Sequence, residues 1–175
     1  EAQKVLQAIL IHHRSSLTGT EVADAQAQIA EISFMQGKPD LAYSQFEKTL
    51  ELDAEQALAL SRLAAMDIEH QRWETAYIRL SRFSEVAAAQ ERIQTVIQMS
   101  EIAEVHLKDL PEAIEPLERA LQWGAASSAI SARLGHLYAV NHQLRRAVDS
   151  YKEAIEIEKA SDDRKFLGKL YFELG

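Results

Sequence analysis

Residues 128–161 read SAISARLGHLYAVNHQLRRAVDSYKEAIEIEKAS and contain the clearest structural signal in the chain. Within them, residues 134–138 form the pattern Leu-Gly-x-x-Tyr, and residues 147–154 form the pattern Ala-x-x-x-Tyr-x-x-Ala. Spacings of three and four residues place side chains on one face of an α-helix. Residues 128–161 therefore predict two helices, each with one face of alternating large and small side chains.

The same pattern recurs along the chain with a period close to 34 residues. Ala30 and Ala64 take the place that Gly135 holds in residues 128–161. The predicted segments are a second helix of a truncated repeat at 1–16, repeats at 23–56 and 57–90, an irregular repeat with an insertion at 91–127, the best repeat at 128–161, and the first helix of a further repeat at 162–175. Because self-similarity at a fixed period is typical of repeat proteins, we expect residues 1–175 to form a single repeat segment of a longer protein.

These patterns resemble the tetratricopeptide repeat (TPR), whose 34-residue unit carries the same Leu-Gly-x-x-Tyr and Ala-x-x-x-aromatic signatures. The resemblance implies an all-α fold, a right-handed α-solenoid of stacked antiparallel helix pairs. It also implies a concave surface lined mainly by the first helix of each pair. Gly135 and Ala147 would let the two helices approach closely, while Tyr138 and Tyr151 would fill the remaining space.

The repeat spacing changes once. Ala76 and Ala113, which hold equivalent places, are 37 residues apart, so three residues have been added. We place the extra length in residues 87–107 and predict one long first helix there. Pro116 follows Pro111 by five residues, and it is expected to kink the second helix or delay its start because it removes an intrahelical hydrogen bond.

Individual residues predict the turns and one exception in the core. Gly37 suits the left-handed position after a helix, and Pro39 suits the first turn of the next helix. Asp67 stands where the pattern expects a tyrosine. We therefore expect Trp73 or Met66 to supply the missing bulk.

Composition agrees with a folded helical chain. Of 175 residues, 47% are hydrophobic and 26% are charged, which is ordinary for a globular protein. Only three prolines and six glycines interrupt strong helix formers. Cysteine is absent from the sequence, which excludes disulfides, cysteine-ligated zinc and thiol catalysis.

The net charge of −8 is spread along the chain and argues against a nucleic-acid partner. Residues 1–90 hold 8 basic and 13 acidic residues, and residues 91–175 hold 11 and 14. Binding to nucleic acid or to an anionic membrane surface requires a basic patch. The sequence also has no apolar run long enough for a membrane span, so we expect no direct membrane insertion of this segment.

No residue pattern indicates catalysis, a metal or a cofactor. His12 and His13 are adjacent and point about 100° apart on a helix, so they cannot share a metal. His136 and His142 lack the spacing of a metal motif. Paired carboxylates such as Glu101 and Glu104 are explained by a solvated helix face. We therefore expect a protein that is not an enzyme and has no cofactor.

Partner-binding candidates are first-helix positions that the family geometry directs away from the second helix. They are Gln28, Glu31, Met35, Arg62, Ala65, Glu69, Gln98, Ile102, His106, Arg133, His136 and Asn141. Arg62 and Arg133 hold equivalent repeat positions and could bind a carboxylate, although solvated surface arginines explain them as well. The family's clamp for chaperone tails is absent, because its Lys and Asn places hold residues such as Ala27 and Ser61.

The resemblance implies a scaffold that binds a partner protein or peptide. One narrower setting is a bacterial periplasmic complex for exopolysaccharide export or outer-membrane assembly, with the cytoplasm as the alternative compartment. Self-association through open solenoid ends is a further expectation. A carbohydrate- or polymer-binding solenoid is the alternative function, for which Trp73 and Trp123 would have to line one surface with groove tyrosines.

Overall fold

The computed structural model describes residues 2–12, 16–124, 127–159 and 164–174. The described residues are all-α and contain no strand. The helices are α1 (Ala2–His12), α2 (Gly19–Met35), α3 (Pro39–Leu52), α4 (Ala57–Glu69), α5 (Trp73–Val86), α6 (Ala89–Ile102) with a π-helix at Ala103–Leu107, α7 (Leu110–Gln122), α8 (Ser128–Val140), α9 (Leu144–Lys159) and α10 (Arg164–Leu174). Successive helices pack as pairs, which is the TPR-like arrangement that the repeat pattern predicts.

The chain divides into two compact units, unit 1 (Glu1–Val86) and unit 2 (Ala87–Gly175). Unit 1 contains α1 to α5, and unit 2 contains α6 to α10. Each unit encloses its own buried side chains. A single continuous segment over residues 1–175 therefore stays a prediction.

In unit 1, the core forms where small residues of one helix meet large residues of the next. Ala30 of α2, Ala42 and Phe46 of α3, and Ala59 and Leu63 of α4 are fully buried in one cluster. Ala30 and Ala42 occupy the small places of the repeat, so the helices approach closely and the Phe46 ring fills the space between them.

Within each helix pair, the turn uses one left-handed residue at the same repeat position. Gly37 has φ +73°, and Pro39 opens α3, as the sequence predicts. The equivalent positions hold Gln71, Lys108 and His142, with φ of 57°, 58° and 57°. An L-residue in this conformation brings its Cβ close to the backbone, which glycine avoids.

Replacing His142 by glycine is expected to stabilise unit 2 by roughly 0.5–1 kcal/mol, because relief of the left-handed strain exceeds the added freedom of the unfolded chain. Urea denaturation measures the change. Lys152→Gly, at an exposed position inside α9, is the matched control and should lower stability by about 1 kcal/mol. Destabilisation by both substitutions would show that the turn carries no such strain.

In unit 2, Gly135 of α8 makes room for a ring of α9. A Cβ added at Gly135 would lie 2.8 Å from Cδ1 of Tyr151, which is closer than two nonbonded carbon atoms can approach. Tyr151 is 3% exposed and packs in one cluster with Ala154, Ile155 and Leu170. Tyr151 of α9 therefore packs against both Gly135 of α8 and Leu170 of α10.

The insertion in the irregular repeat differs from the prediction of one long first helix. The first helix does extend through residues 89–107, but α6 ends at Ile102 and the last five residues form the π-helix Ala103–Leu107. The wider π-helical turn accommodates extra residues while the chain continues in the same direction. It ends at Lys108, which is left-handed.

Pro116 does not delay the second helix of this repeat. Helix α7 begins at Leu110, with Pro111 in its first turn, and continues through Pro116 to Gln122. The prediction of a delayed start is therefore wrong. Pro116 removes only one backbone hydrogen bond, and its side chain is fully buried against the core.

The position where the pattern expects a tyrosine holds a buried carboxylate. The Asp67 side chain is fully buried, and its Oδ1 accepts a hydrogen bond from the Tyr43 hydroxyl at 3.1 Å. Arg72 Nε lies 2.6 Å from the same oxygen, and Arg79 pairs with Oδ2. A tyrosine from the preceding helix pair and two arginines therefore contact Asp67. Met66 is buried as well, so its role in filling this space stays a prediction.

Candidate functional site

In unit 1, the candidate binding residues lie on α2 and α4. Gln28, Met35 and Glu69 are exposed, and Met35 is 79% exposed. Glu31 and Arg62 instead contact each other. Arg62 Nε donates to Glu31 Oε2 at 2.7 Å and Nη2 donates to Oε1, so the ion pair is bidentate.

In unit 2, Arg133 and His136 share one carboxylate. Arg133 Nη2 lies 2.6 Å from Glu104 Oε2, at ion-pair distance but without hydrogen-bond alignment, and Arg133 Nε donates to Ser100 Oγ at 3.2 Å. His136 Nε2 lies 3.1 Å from Glu104 Oε1. The π-helix of the inserted segment therefore supplies the carboxylate that holds both side chains of α8.

The other candidates in unit 2 lie at the surface or at the end of a helix. Gln98 and His106 are exposed, and Asn141 is half-buried at the end of α8. The two equivalent arginines, Arg62 and Arg133, are each paired with a glutamate from the preceding first helix. A carboxylate ligand would therefore have to displace Glu31 or Glu104 before it could bind either arginine.

A cavity of about 400 Å³ lies on the first-helix surface of unit 2. Helices α6, α8 and α10 supply most of its walls, and α9 contributes Tyr151. We call it the α8 cavity, and its lining residues are Ile97, Glu101, Ala129, Ala132, Arg133, His136, Tyr151, Lys169, Leu170 and Glu173. The small side chains of Ala129 and Ala132 leave the space open.

The charges around the α8 cavity are not all neutralised within unit 2. Glu101 and Lys169 are exposed and have no ion-pair partner among the described residues. Burial raises the pKa of Tyr151, and the Glu173 carboxylate raises it further, so the hydroxyl keeps its proton at neutral pH.

Sequence reasoning identified two lining residues, Arg133 and His136, and missed the rest. Helical spacing contained the signal for two of them, because Ala129 and Ala132 precede His136 by seven and four residues and so lie on the same face of α8. The sequence predicts that Tyr151 fills space between the helices, and its exposed fraction of 3% agrees with that role. Only packing shows that Tyr151 also borders a cavity.

A tryptophan of unit 2 bears on the carbohydrate alternative. Trp123 is 37% exposed, but the guanidinium carbons of Arg92 and Arg119 lie 5.0 and 5.3 Å from its ring centroid. Sugar binding by stacking needs a free ring face, whereas both arginines already form cation–π contacts with this ring.

The described residues contain no group of three or more His, Asp and Glu side chains that could hold a metal ion. His12 is exposed, and His13 lies outside the described part of the chain. None of the described helices combines the length and the apolar character that crossing a bilayer requires.

The fold defines a class, the TPR-like helical repeat proteins. Similar solved structures include YrrB, described as "a TPR protein with an unusual peptide-binding site", at TM-score 0.66 and 15% identity over 99% of this chain and 80% of YrrB. MamA from Desulfovibrio magneticus RS-1 matches at TM-score 0.58 and 15% identity, covering 93% and 98% of the two chains. PilF from Pseudomonas aeruginosa matches at TM-score 0.56 and 19% identity, covering 99% and 88%. Neither a protein-family model nor a curated protein matches the sequence.

Proposed function

We propose that this chain is a protein-interaction scaffold that binds a segment of a partner protein at the α8 cavity. The observation that carries the proposal is the combination of apolar walls and unpaired charges in one opening on the first-helix surface. Ligand pockets of proteins combine apolar lining with a few polar groups that orient the ligand, and they fall in the same volume range.

Two further observations support this function. The fold is similar to that of YrrB, whose description names a peptide-binding site. In addition, the cavity lies where unit 2 brings three first helices together, so side chains from three repeats can contact one extended segment. The proposal includes no catalytic step.

Ala132→Trp tests the proposal by filling the α8 cavity. We expect the full chain with this substitution to lose partners that the wild-type chain retains in a pull-down from the source organism. Val148→Trp is the matched control, because Val148 lies on α9, is 36% exposed and does not line the cavity. Partners bound by the wild type and by Val148→Trp but lost by Ala132→Trp would support the proposal.

Retention of every partner by Ala132→Trp would contradict it. Circular dichroism and the melting temperature of both variants show whether each is folded. Charge reversal of Arg62 or Arg133 to glutamate would be a poorer test, because it would place two carboxylates together at the Glu31 or Glu104 pair.

The narrower setting in this proposal is a bacterial envelope complex that exports polysaccharide or assembles the outer membrane, with the periplasm as compartment. Its support is the cysteine-free sequence with degenerate repeats. Fractionation of the source cells tests it, since recovery only in the cytoplasm would contradict this setting. The carbohydrate alternative is less favoured, because arginines already stack on the Trp123 ring.

A further inference from the structure

Another cavity, of about 250 Å³, lies in unit 1 between α1, α2 and α3. We call it the α3 cavity, and its lining residues are Leu10 of α1, Gln26 and Ile29 of α2, and Gln45 and Lys48 of α3. None of them is among the first-helix positions that the repeat pattern marks for partner binding. The α3 cavity is therefore a different place in the fold from the α8 cavity, whose lining belongs to unit 2.

Comparison with the next repeat shows why this space is open. At the position equivalent to Gln45, one repeat period later, the chain has Arg79, which is 9% exposed. The Arg79 guanidinium pairs with Glu47 of α3 and Asp67 of α4. Gln45 is shorter and uncharged, and its side-chain amide has no hydrogen-bond partner among the described residues. The side chain that bridges α5 and α3 thus has a shorter counterpart between α3 and α1.

The polar groups of the α3 cavity are suited to a ligand that accepts hydrogen bonds. Lys48 is exposed and has no ion-pair partner among the described side chains. Because Gln45 Oε1 is buried, the amide group of Gln45 that can meet a ligand is Nε2, which is a donor. The half-buried Gln26 supplies a second amide. An ammonium group and amide N–H groups are donors to which a carboxylate can bind with both of its oxygens.

The charge of the lining favours an anion as well. Lys48 is the one charged side chain among the described residues that line the cavity, in a chain whose net charge is −8. A cationic ligand would be repelled by Lys48, and a neutral ligand would form no charge-assisted hydrogen bond with it through an ionised acceptor. Leu10 and Ile29 supply aliphatic surface beside these donors. A complementary ligand therefore carries a carboxylate on a short aliphatic group.

We propose that the α3 cavity is a second binding site of this chain, which holds a carboxylate attached to a branched aliphatic group. The carboxylate pairs with Lys48, and the aliphatic group packs against Leu10 and Ile29. Two sources carry this chemistry, a small free acid and the C-terminal residue of a partner chain that ends in leucine, isoleucine or valine. The inference does not rest on the proposed function, because that function concerns the α8 cavity.

Titration of the isotope-labelled full chain with isocaproate, followed by NMR, tests the inference. We expect saturable shifts for the residues that line the α3 cavity. Isocaproamide has nearly the same shape but no charge and should bind roughly tenfold more weakly. Acetate keeps the charge without the branched group and should also bind roughly tenfold more weakly or worse. If either counterpart bound as tightly as isocaproate, or if no saturable shift occurred at the α3 cavity, the inference would be overturned.

Substitutions locate the carboxylate. Lys48→Gln is expected to weaken isocaproate binding roughly tenfold, because the ligand loses its cationic partner. Lys38→Gln is the matched control, since Lys38 is an exposed lysine immediately before α3 and does not line the cavity. This variant should bind isocaproate as the wild type does. Equal binding by the two variants would show that Lys48 does not hold the carboxylate and would overturn the inference.

Peptides distinguish the two sources of the ligand. Gly-Gly-Leu with a free C-terminal carboxylate is compared with the same peptide carrying a C-terminal amide. Shifts at the α3 cavity that require the free carboxylate of the peptide would support the inference and identify a chain terminus as the source. Shifts with isocaproate but with neither peptide would support it and identify a small acid.

The outcomes for the two proposals are separable. Ala132→Trp changes unit 2, so we expect it to leave isocaproate binding unchanged. Loss of a partner with Ala132→Trp, combined with no binding of isocaproate to the wild type, would overturn the carboxylate inference and leave the scaffold function standing. Isocaproate binding at the α3 cavity, combined with retention of every partner by Ala132→Trp, would overturn the proposed function alone.

Discussion

Replacing Asp67 by alanine is expected to lower the free energy of unfolding of unit 1 by roughly 3 kcal/mol, because removal of one member of a buried ion pair leaves its partner charge uncompensated. The Asp67 side chain is fully buried, and Arg79 is 9% exposed. Without Asp67, Arg79 would keep only Glu47, whose side chain is 43% exposed, and the Tyr43 hydroxyl.

Urea denaturation followed by tryptophan fluorescence measures this effect. The sequence has two tryptophans, so a Trp123→Phe background leaves Trp73 as a reporter of unit 1. Glu51→Ala, at an exposed position of α3, is the matched control and should change stability by less than about 0.5 kcal/mol. The double substitution Asp67→Leu with Arg79→Met removes both charges and should recover part of the loss. If Asp67→Ala proved as mild as Glu51→Ala, the buried cluster would not stabilise unit 1.

Gly135→Leu is expected to destabilise unit 2 by about 1–3 kcal/mol, because the added side chain overpacks the contact with Tyr151. A single Cβ at this position would already lie 2.8 Å from the ring. Gly135→Ala should therefore destabilise unit 2 as well, by less than leucine. A Trp73→Phe background leaves Trp123 to report the unfolding of unit 2 in urea.

Gly168→Ala is the control for this substitution. Gly168 holds the same place in the Leu-Gly-x-x-Tyr pattern of α10, but, apart from the backbone of α10 and the two neighbouring residues, no described atom lies within 4 Å of the position that its Cβ would take. Alanine there should be neutral or stabilise by up to about 1 kcal/mol, since alanine has the higher helix propensity. An unchanged melting temperature for Gly135→Leu would contradict the close α8–α9 contact.

Arg62 and Arg133 show which contacts residue type and spacing can predict and which they cannot. Repeat position correctly marks Arg62 and Arg133 as equivalent, and the structure places each beside a first-helix glutamate. The sequence could not show that these glutamates neutralise them, because Glu31 precedes Arg62 by 31 residues and Glu104 precedes Arg133 by 29. Glu104 lies in the π-helix, whereas Glu31 lies in the regular helix α2.

The α8 cavity was predictable only in part. Arg133 and His136 are recognisable as first-helix surface residues, and Ala129 and Ala132 follow from the same helical face. Tyr151, Leu170 and Glu173 come from α9 and α10. Their contribution depends on how closely those helices pack, which is determined by side-chain volumes summed over several helices.

By itself, the sequence determined the helix pairs, the all-α TPR-like fold, the left-handed turn at Gly37 and the small residue at Gly135, because these depend on local periodicity and on single-residue conformational limits. Tertiary structure alone decided that the inserted residues form a π-helix, that the buried Asp67 pairs with two arginines, and that Tyr151 and Glu173 border the α8 cavity. These features depend on charges and side-chain shapes from helices that are distant in sequence. The interactions between these groups form only when the helices pack together.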